Sequence, residues 1–153
     1  MIGNANTGAV EKVLRDGMKS PREVVAAWAD AFNRRDAEAA AALYEENATN
    51  WQVAAGEPAV GREAILADFR GFFAAFPDSY THTENLFEDG EWAILEWSGG
   101  GTWRGAFGGR EPNGRSFKLR GCGFFRVVDG KIRFQRGYWD KLTWFKQLAI
   151  PVE

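Results

Sequence analysis

The chain has 153 residues, the length of one domain with a single core, and 45% hydrophobic and 26% charged residues place it among ordinary globular proteins. A net charge of −2 offers no attraction to nucleic acid or anionic lipid, and no run approaches the ~18 apolar residues of a membrane span. The lone Cys122 excludes an internal disulfide, and one His with one Cys does not make a zinc site, so no metal or other cofactor is expected and the cytoplasm is the default location.

Residues 1–19 lack the apolar stretch of a secretory leader and are expected to form an N-terminal arm, with one domain over 20–153. Ser20-Pro21-Arg22-Glu23 is a capping box with proline in the first turn, so a helix starts there, with Val24, Val25, Trp28, Ala31 and Phe32 on one face. Asp36 is placed to cap a second, alanine-rich helix that carries Leu43 and Tyr44. A short strand is expected at 51–53, and then a third helix over 62–76 with Ile65, Phe69, Phe72, Phe73 and Phe76 on one stripe, stopped by Pro77. From Ser79 the apolar period falls to two, giving strands at about 79–88, 91–104, 115–128 and 131–140, with hairpin turns at Asp89-Gly90 and Asp129-Gly130. A short helix over 141–148 closes the chain. Helices followed by antiparallel strands define an α+β fold, a curved, mostly antiparallel sheet covered by three helices around an internal hollow.

Seven tryptophans and 12 phenylalanines suit either a wide core or a pocket for a flat apolar ligand. A two-residue turn at Asp129-Gly130 makes Val128 face Lys131 and sets every pair beyond it. That register puts Arg136, Tyr138 and Asp140 on the core face, beside the space that Gly121 and Gly123 leave open, while Phe124 and Trp139 fall on the outer face where a second subunit could pack. A carboxylate there loses hydration, its pKa rises, and it becomes a candidate general base, so Asp140 is the catalytic candidate. Asp140 is equally placed to cap the helix that follows it. Arg136 or Tyr138 would polarise a carbonyl, or Arg136 would neutralise a buried acid. Trp28, Tyr44, Trp51, Phe73 and Trp103 are candidate pocket walls, and His82 and Glu96 are further candidate contacts. The first hairpin register sets Thr83 against Glu96 and His82 against Trp97, so His82 and Glu96 fall on opposite faces and form no dyad. The phosphate-loop-like spacing from Gly109 to Ser116 has Arg in place of Lys and leads into a strand, so it is set aside.

The ordered segments Gly61-Arg62-Glu63-Ala64-Ile65, Phe76-Pro77-Asp78, Gly101-Thr102, Pro112-Asn113-Gly114-Arg115, Asp129-Gly130-Lys131-Ile132, Tyr138-Trp139-Asp140 and Gln147-Leu148 resemble the SnoaL-like polyketide cyclase family, within the nuclear transport factor 2-like superfamily. The resemblance covers about residues 20–150. It implies a cone of curved sheet and three helices, a homodimer formed through the sheet, and cofactor-independent chemistry. In that chemistry the acid matching Asp140 takes a proton from an activated carbon, and the enolate closes a ring by aldol attack. Trp51 and Trp103 stand where relatives commonly have His, which favours a flat hydrophobic ligand. The reading is carbon-acid chemistry, cyclase or isomerase, on a small apolar or aromatic carbonyl compound. The alternative is a non-catalytic binding or dimerisation module. Epoxide hydrolysis would need an Asp-Arg-Asp relay, and Arg136 and Asp140, four apart on a strand and hence about 13 Å from each other, do not supply one.

Overall fold

The computed structural model describes residues 18–152, so most of the expected N-terminal arm lies outside the described residues. Helix α1 spans Pro21–Asn33, and Ser20 Oγ accepts from Glu23 N as its cap. Helix α2 is only Ala37–Ala41, capped by Asp36, whose side chain accepts from Ala39 N. Leu43 and Tyr44, expected on that helix, leave it. Tyr44 opens strand β1, Tyr44–Gln52, where only 51–53 were expected. A 3₁₀ turn at Val53–Ala55 and strand β2, Ala59–Val60, lead into α3, Arg62–Ala75. Strands β3 (Tyr80–Asp89), β4 (Trp92–Thr102), β5 (Ser116–Val128) and β6 (Lys131–Trp139) follow, and α4, Lys141–Leu148, ends the domain.

The six strands form one sheet in the order β2-β1-β6-β5-β4-β3, antiparallel throughout except where β1 runs parallel to β6. Helices α1 to α3 cover one face, and the main core joins Val24, Val25 and Trp28 of α1 and Ile65 and Phe69 of α3 to Leu95, Phe125 and Ile132 of the sheet. A second apolar cluster, with Phe76, Trp103, Phe117, Trp144 and Leu148, ties α4 to the far end of β5. Several of the family-like segments are ties that set these elements in place. Asp78 accepts from Thr102 N and Thr102 Oγ1, and Asn113 Nδ2 donates to Leu148 O. Gln147 accepts from Lys118 N and donates to Lys118 O, pairing α4 with β5 through its side chain as a strand would through its backbone.

Both hairpins depart from the expected register, and in each a slip in the pairing exchanges the faces beyond it. At the second turn Val128 does face Lys131, and Asp129 and Gly130 both take positive φ, 51° and 75°, as a two-residue turn of this hand requires. The pairing then slips between Arg126 and Val127: Val127 faces Ile132, but Arg126 faces Phe134. Arg133 is the extra residue of a β-bulge. Because side chains alternate, one added residue exchanges the faces of everything after it. Gln135, Gly137 and Trp139 turn inward, while Phe134, Arg136 and Tyr138 turn outward. In the first hairpin the turn is Gly90-Glu91, with Asp89 facing Trp92, and a second slip follows between Thr83 and Asn85. His82 therefore pairs with Ser98 and Thr83 with Trp97, which puts His82 on the same face as Glu96, contrary to expectation.

Gly121 lies under the Trp97 indole, and a Cβ there would fall 2.6 Å from both Trp97 Cζ2 and the Tyr138 carbonyl oxygen. Gly121→Ala is expected to destabilise the fold by about 1–3 kcal/mol through overpacking, measured by urea unfolding.

Candidate functional site

A cavity of about 470 Å³ lies between the inner sheet face and the helices. Its walls include Trp28 and Phe32 of α1, Phe69 and Phe72 of α3, Trp97 of β4, Phe117 of β5, and Trp144 and Phe145 of α4. The glycines that face it, Gly99 and Gly123 among them, keep the sheet side clear of bulk. These rings pack edge to face and tilted: Trp28 lies 4.9 Å from Phe125 and Trp144 5.2 Å from Trp139. The indole N–H groups of Trp28 and Trp144 are buried without protein partners among the described residues.

One end of the cavity is polar. Asn50 and Gln135 are cross-strand neighbours on β1 and β6, 7% and 4% exposed, and Gln52 sits one step along, over Gly137. Trp139 Nε1 donates to Gln52 Oε1 at 3.0 Å, and Gln52 Nε2 donates to Asn50 Oδ1 at 2.8 Å. The Tyr44 hydroxyl donates to Gln135 Oε1. Tyr44 is fully buried, and desolvation raises its pKa well above the ordinary 10, with the adjacent Trp28 indole opposing the rise weakly, so the phenol stays protonated. At the rim, Asp68 of α3, itself exposed, is the carboxylate that lines the cavity among the described residues, and partial desolvation of its carboxyl group raises its pKa above the ordinary 3.8. His82, on the outer face through its pairing with Ser98, borders both this cavity and a shallow outer cleft, its ring 5.5 Å from that of Tyr80.

The sequence-derived candidates separate sharply. Trp28 lines the cavity, and His82 borders it from the outer face. Tyr44 lies behind it and acts on it through Gln135. Phe73 packs against Phe32 at 4.8 Å, and Trp103 is buried in the second cluster with its indole donating to Gly105 O; neither lines the cavity. Trp51 is 37% exposed on the outer face and donates to Gly56 O. Glu96, also outward, accepts from Asn85 Nδ2.

Arg136 and Tyr138 are carried outward by the bulge. The Arg136 guanidinium lies 5.3 Å from the Phe124 ring centroid and 5.8 Å from that of Tyr138. Asp140 is the main correction. Its side chain is exposed and does not line the aromatic cavity. It caps α4, accepting from Thr143 N at 3.0 Å and from Thr143 Oγ1 at 2.6 Å. The hydrogen bond from the Thr143 hydroxyl, aided by the backbone bond, holds its pKa below 3.8, the opposite of the shift a desolvated base would show. It faces a separate shallow cleft with Tyr80, His82, Lys118 and Arg120.

Asn50, Gln52, Gln135, Trp139 and Asp68 were not among the sequence-derived candidates. Asp68 had a readable signal, because it follows Ile65 by three and precedes Phe72 by four, and so interrupts the apolar stripe of α3. The amides had none, since their inward direction depends on the bulge.

Helices on one face of a six-stranded, mostly antiparallel sheet, with an aromatic cavity between them, define the nuclear transport factor 2-like class of small-molecule folds. Within that class the chain belongs to the SnoaL-like polyketide cyclase family, whose pattern matches residues 22–148. Among solved structures it is similar to IdmH of Streptomyces antibioticus, provisionally assigned as a polyketide cyclase, at 26% identity and a TM-score of 0.72 over 86% of this chain and 100% of that one. A Pseudomonas putida KT2440 protein with the same provisional assignment is 24% identical, with a TM-score of 0.74 over 86% and 99%. A Catenulispora acidiphila protein with a ketosteroid isomerase-like fold is 22% identical, with a TM-score of 0.73 over 87% and 96%. The last two likenesses bear on the fold alone. No functionally curated protein matches the chain. No helix among the described residues is long and apolar enough to cross a membrane.

Asp140→Ala is expected to lower the melting temperature by a few degrees through loss of the cap, whereas Asp140→Asn, which also caps well, keeps most of the stability. Because the folded pKa of Asp140 is depressed, its charged-state contribution is present above the unfolded value and fades as pH falls through the folded one. Melting curves of wild type and Asp140→Asn should therefore converge at low pH.

Proposed function

We propose that the protein binds a small, flat, apolar carbonyl compound in the aromatic cavity and carries out cyclase- or isomerase-type carbon-acid chemistry on it without a cofactor. The observation that carries this reading is the cavity's composition: ring-lined walls of about 470 Å³ that end in the side-chain amides of Asn50 and Gln135. Apolar walls reward burial of a flat skeleton, and amide N–H groups at one end hold a carbonyl oxygen and the enolate that forms from it. Asp68 is the base of this proposal. It reaches the cavity, and its raised pKa brings it closer to the range in which a carboxylate takes a proton from carbon. His82, which also borders the cavity, is a further ligand contact. Abstraction moves the proton from the carbon beside the carbonyl to the Asp68 carboxylate, and the C–H electron pair becomes the enolate. Return of the proton from Asp68 to another carbon gives an isomer; attack of the enolate carbon on a second carbonyl forms the C–C bond of a ring, and the resulting alkoxide takes the proton back from Asp68.

A second reading, a binding module without turnover, is favoured by one observation: the acid matching the cyclases' base, Asp140, is occupied as a helix cap. The enolisable ketone 2-tetralone separates the two. Calorimetry should show binding, and NMR in deuterium oxide should show protein-catalysed exchange of its C1 protons. Asp68→Asn is expected to keep binding and to slow exchange by at least ~10²-fold. The catalysed rate should rise with pH until Asp68 is ionised and then level off. A group whose acid pKa is raised on folding costs stability once it is charged, so Asp68→Asn should not lower the melting temperature at neutral pH. Binding without catalysed exchange would support the module.

The same reading includes a homodimer through the outer sheet face, as in the family. Trp51 and Tyr138 are 37% and 43% exposed there, and Arg136 sits among the rings with its Nε buried and unpartnered among the described residues. Sedimentation should show a dimer, and Arg136→Glu should shift it to monomer, since a carboxylate at that point loses the ring contacts and repels its own copy.

A further inference from the structure

We infer that Trp139, acting through Gln52, is a positioning residue that forces the Asn50 side-chain amide to offer an N–H donor to the cavity, beside a Gln135 amide whose oxygen is engaged by Tyr44, making the polar end a cradle selective for an acceptor oxygen. The inference rests on the carbonyl-ligand reading above and adds the residues that determine it.

A side-chain amide has a donor end and an acceptor end, and its free choice between them is removed when a neighbour can act in one way only. The Trp139 indole is such a neighbour, because Nε1–H donates and never accepts. At 3.0 Å from Gln52 it demands the oxygen, so Gln52 must present Oε1 to Trp139 and Nε2 to Asn50. Gln52 Nε2 in turn demands Asn50 Oδ1, at 2.8 Å. The free end of Asn50 is then Nδ2, and no protein acceptor meets it among the described residues. On the neighbouring strand the Tyr44 hydroxyl donates to Gln135 Oε1, which leaves Gln135 Nε2 to the cavity in the same sense.

The backbone reserves space for this relay. The Gln52 side chain lies directly over Gly137, where a Cβ would collide with its amide, so any other residue at 137 would displace the relay's middle member. Asn50 and Gln135 are paired across β1 and β6, and the strand spacing of about 4.8 Å keeps both donors within reach of one oxygen. Both residues are more than nine-tenths buried, so a ligand that occupies this end without accepting would strand two amide groups away from water. A ketone, aldehyde or enolate oxygen satisfies the cradle. An apolar skeleton of the same shape does not.

The test compares 2-tetralone with 1,2-dihydronaphthalene, a hydrocarbon of similar ring skeleton that lacks the carbonyl oxygen, by calorimetry on the full chain. Wild type should prefer the ketone by about tenfold or more. Asn50→Asp keeps the acceptor that Gln52 needs and replaces the free donor with an oxygen, so it should abolish the ketone preference while hydrocarbon affinity changes by less than about twofold. Trp139→Phe removes the donor that orients Gln52 and should reduce the preference part way, again with hydrocarbon binding kept. A loss shared equally by both ligands would mark these residues as merely structural and overturn the inference, as would an Asn50→Asp protein that still prefers the ketone. Failure of wild type to bind either compound would instead sink the ligand reading itself, a result distinct from binding both without preference, which sinks the cradle alone.

Discussion

The single extra residue in β6 governs the chemistry of the whole inner face. Arg133 has no place in the ladder between β5 and β6, and its side chain is held outward by Glu45 of β1 through paired contacts at 3.0 and 3.1 Å. The parallel pairing of β1 with β6 is irregular over the same stretch, where Tyr44 faces Ile132 and Thr49 faces Phe134. The bulge is thus shared by two strands. Beyond it, the neutral, hydrogen-bonding residues Gln135 and Trp139 face the cavity and Arg136 faces out. Without it, a guanidinium and a carboxylate would enter an aromatic hollow, at a large desolvation cost.

The resulting cavity divides its work. Under the proposed function, aromatic walls would supply non-directional attraction, insensitive to a ligand's orientation, and the amide end would supply directional contacts that set which way the ligand lies. That division is why few polar groups suffice. Two buried amides, each with its acceptor end already engaged by a protein donor, restrict the ligand more than a larger number of solvated side chains would, because a mismatch cannot be repaired by water. The rim carboxylate is in a different situation. Asp68 remains partly solvated, and its partial desolvation raises its pKa above the ordinary 3.8.

Much of the fold was legible in order and type. The capping box at Ser20, the apolar stripe from Ile65, the Asp129-Gly130 turn and the closing helix over Lys141–Leu148 are local signals, each decided within a few residues, and the structure carries all of them. The second helix was read too long, because alanine-rich propensity continues through residue 42 while Tyr44 is claimed by a buried contact with Gln135, 91 residues away. Candidate site residues fared worse, and for a definite reason. Trp28 sits on a helix whose apolar face is visible in the spacing, and it lines the cavity. Arg136, Tyr138 and Asp140 were assigned by counting outward from a turn, and a count fails at the first residue that the partner strand does not match.

From residue order alone came the α+β arrangement and the wealth of rings suited to an apolar pocket, since composition and short-range periodicity carry those properties, and the family resemblance, which rests on short motifs in a set order. Which residues face that pocket was decided in three dimensions. The bulge at Arg133 depends on a partner strand and on Glu45 of β1, and the direction of each amide depends on an indole or a phenol brought from elsewhere in the chain. Such choices belong to pairs of residues distant in sequence, and only their meeting in the folded sheet selects one outcome.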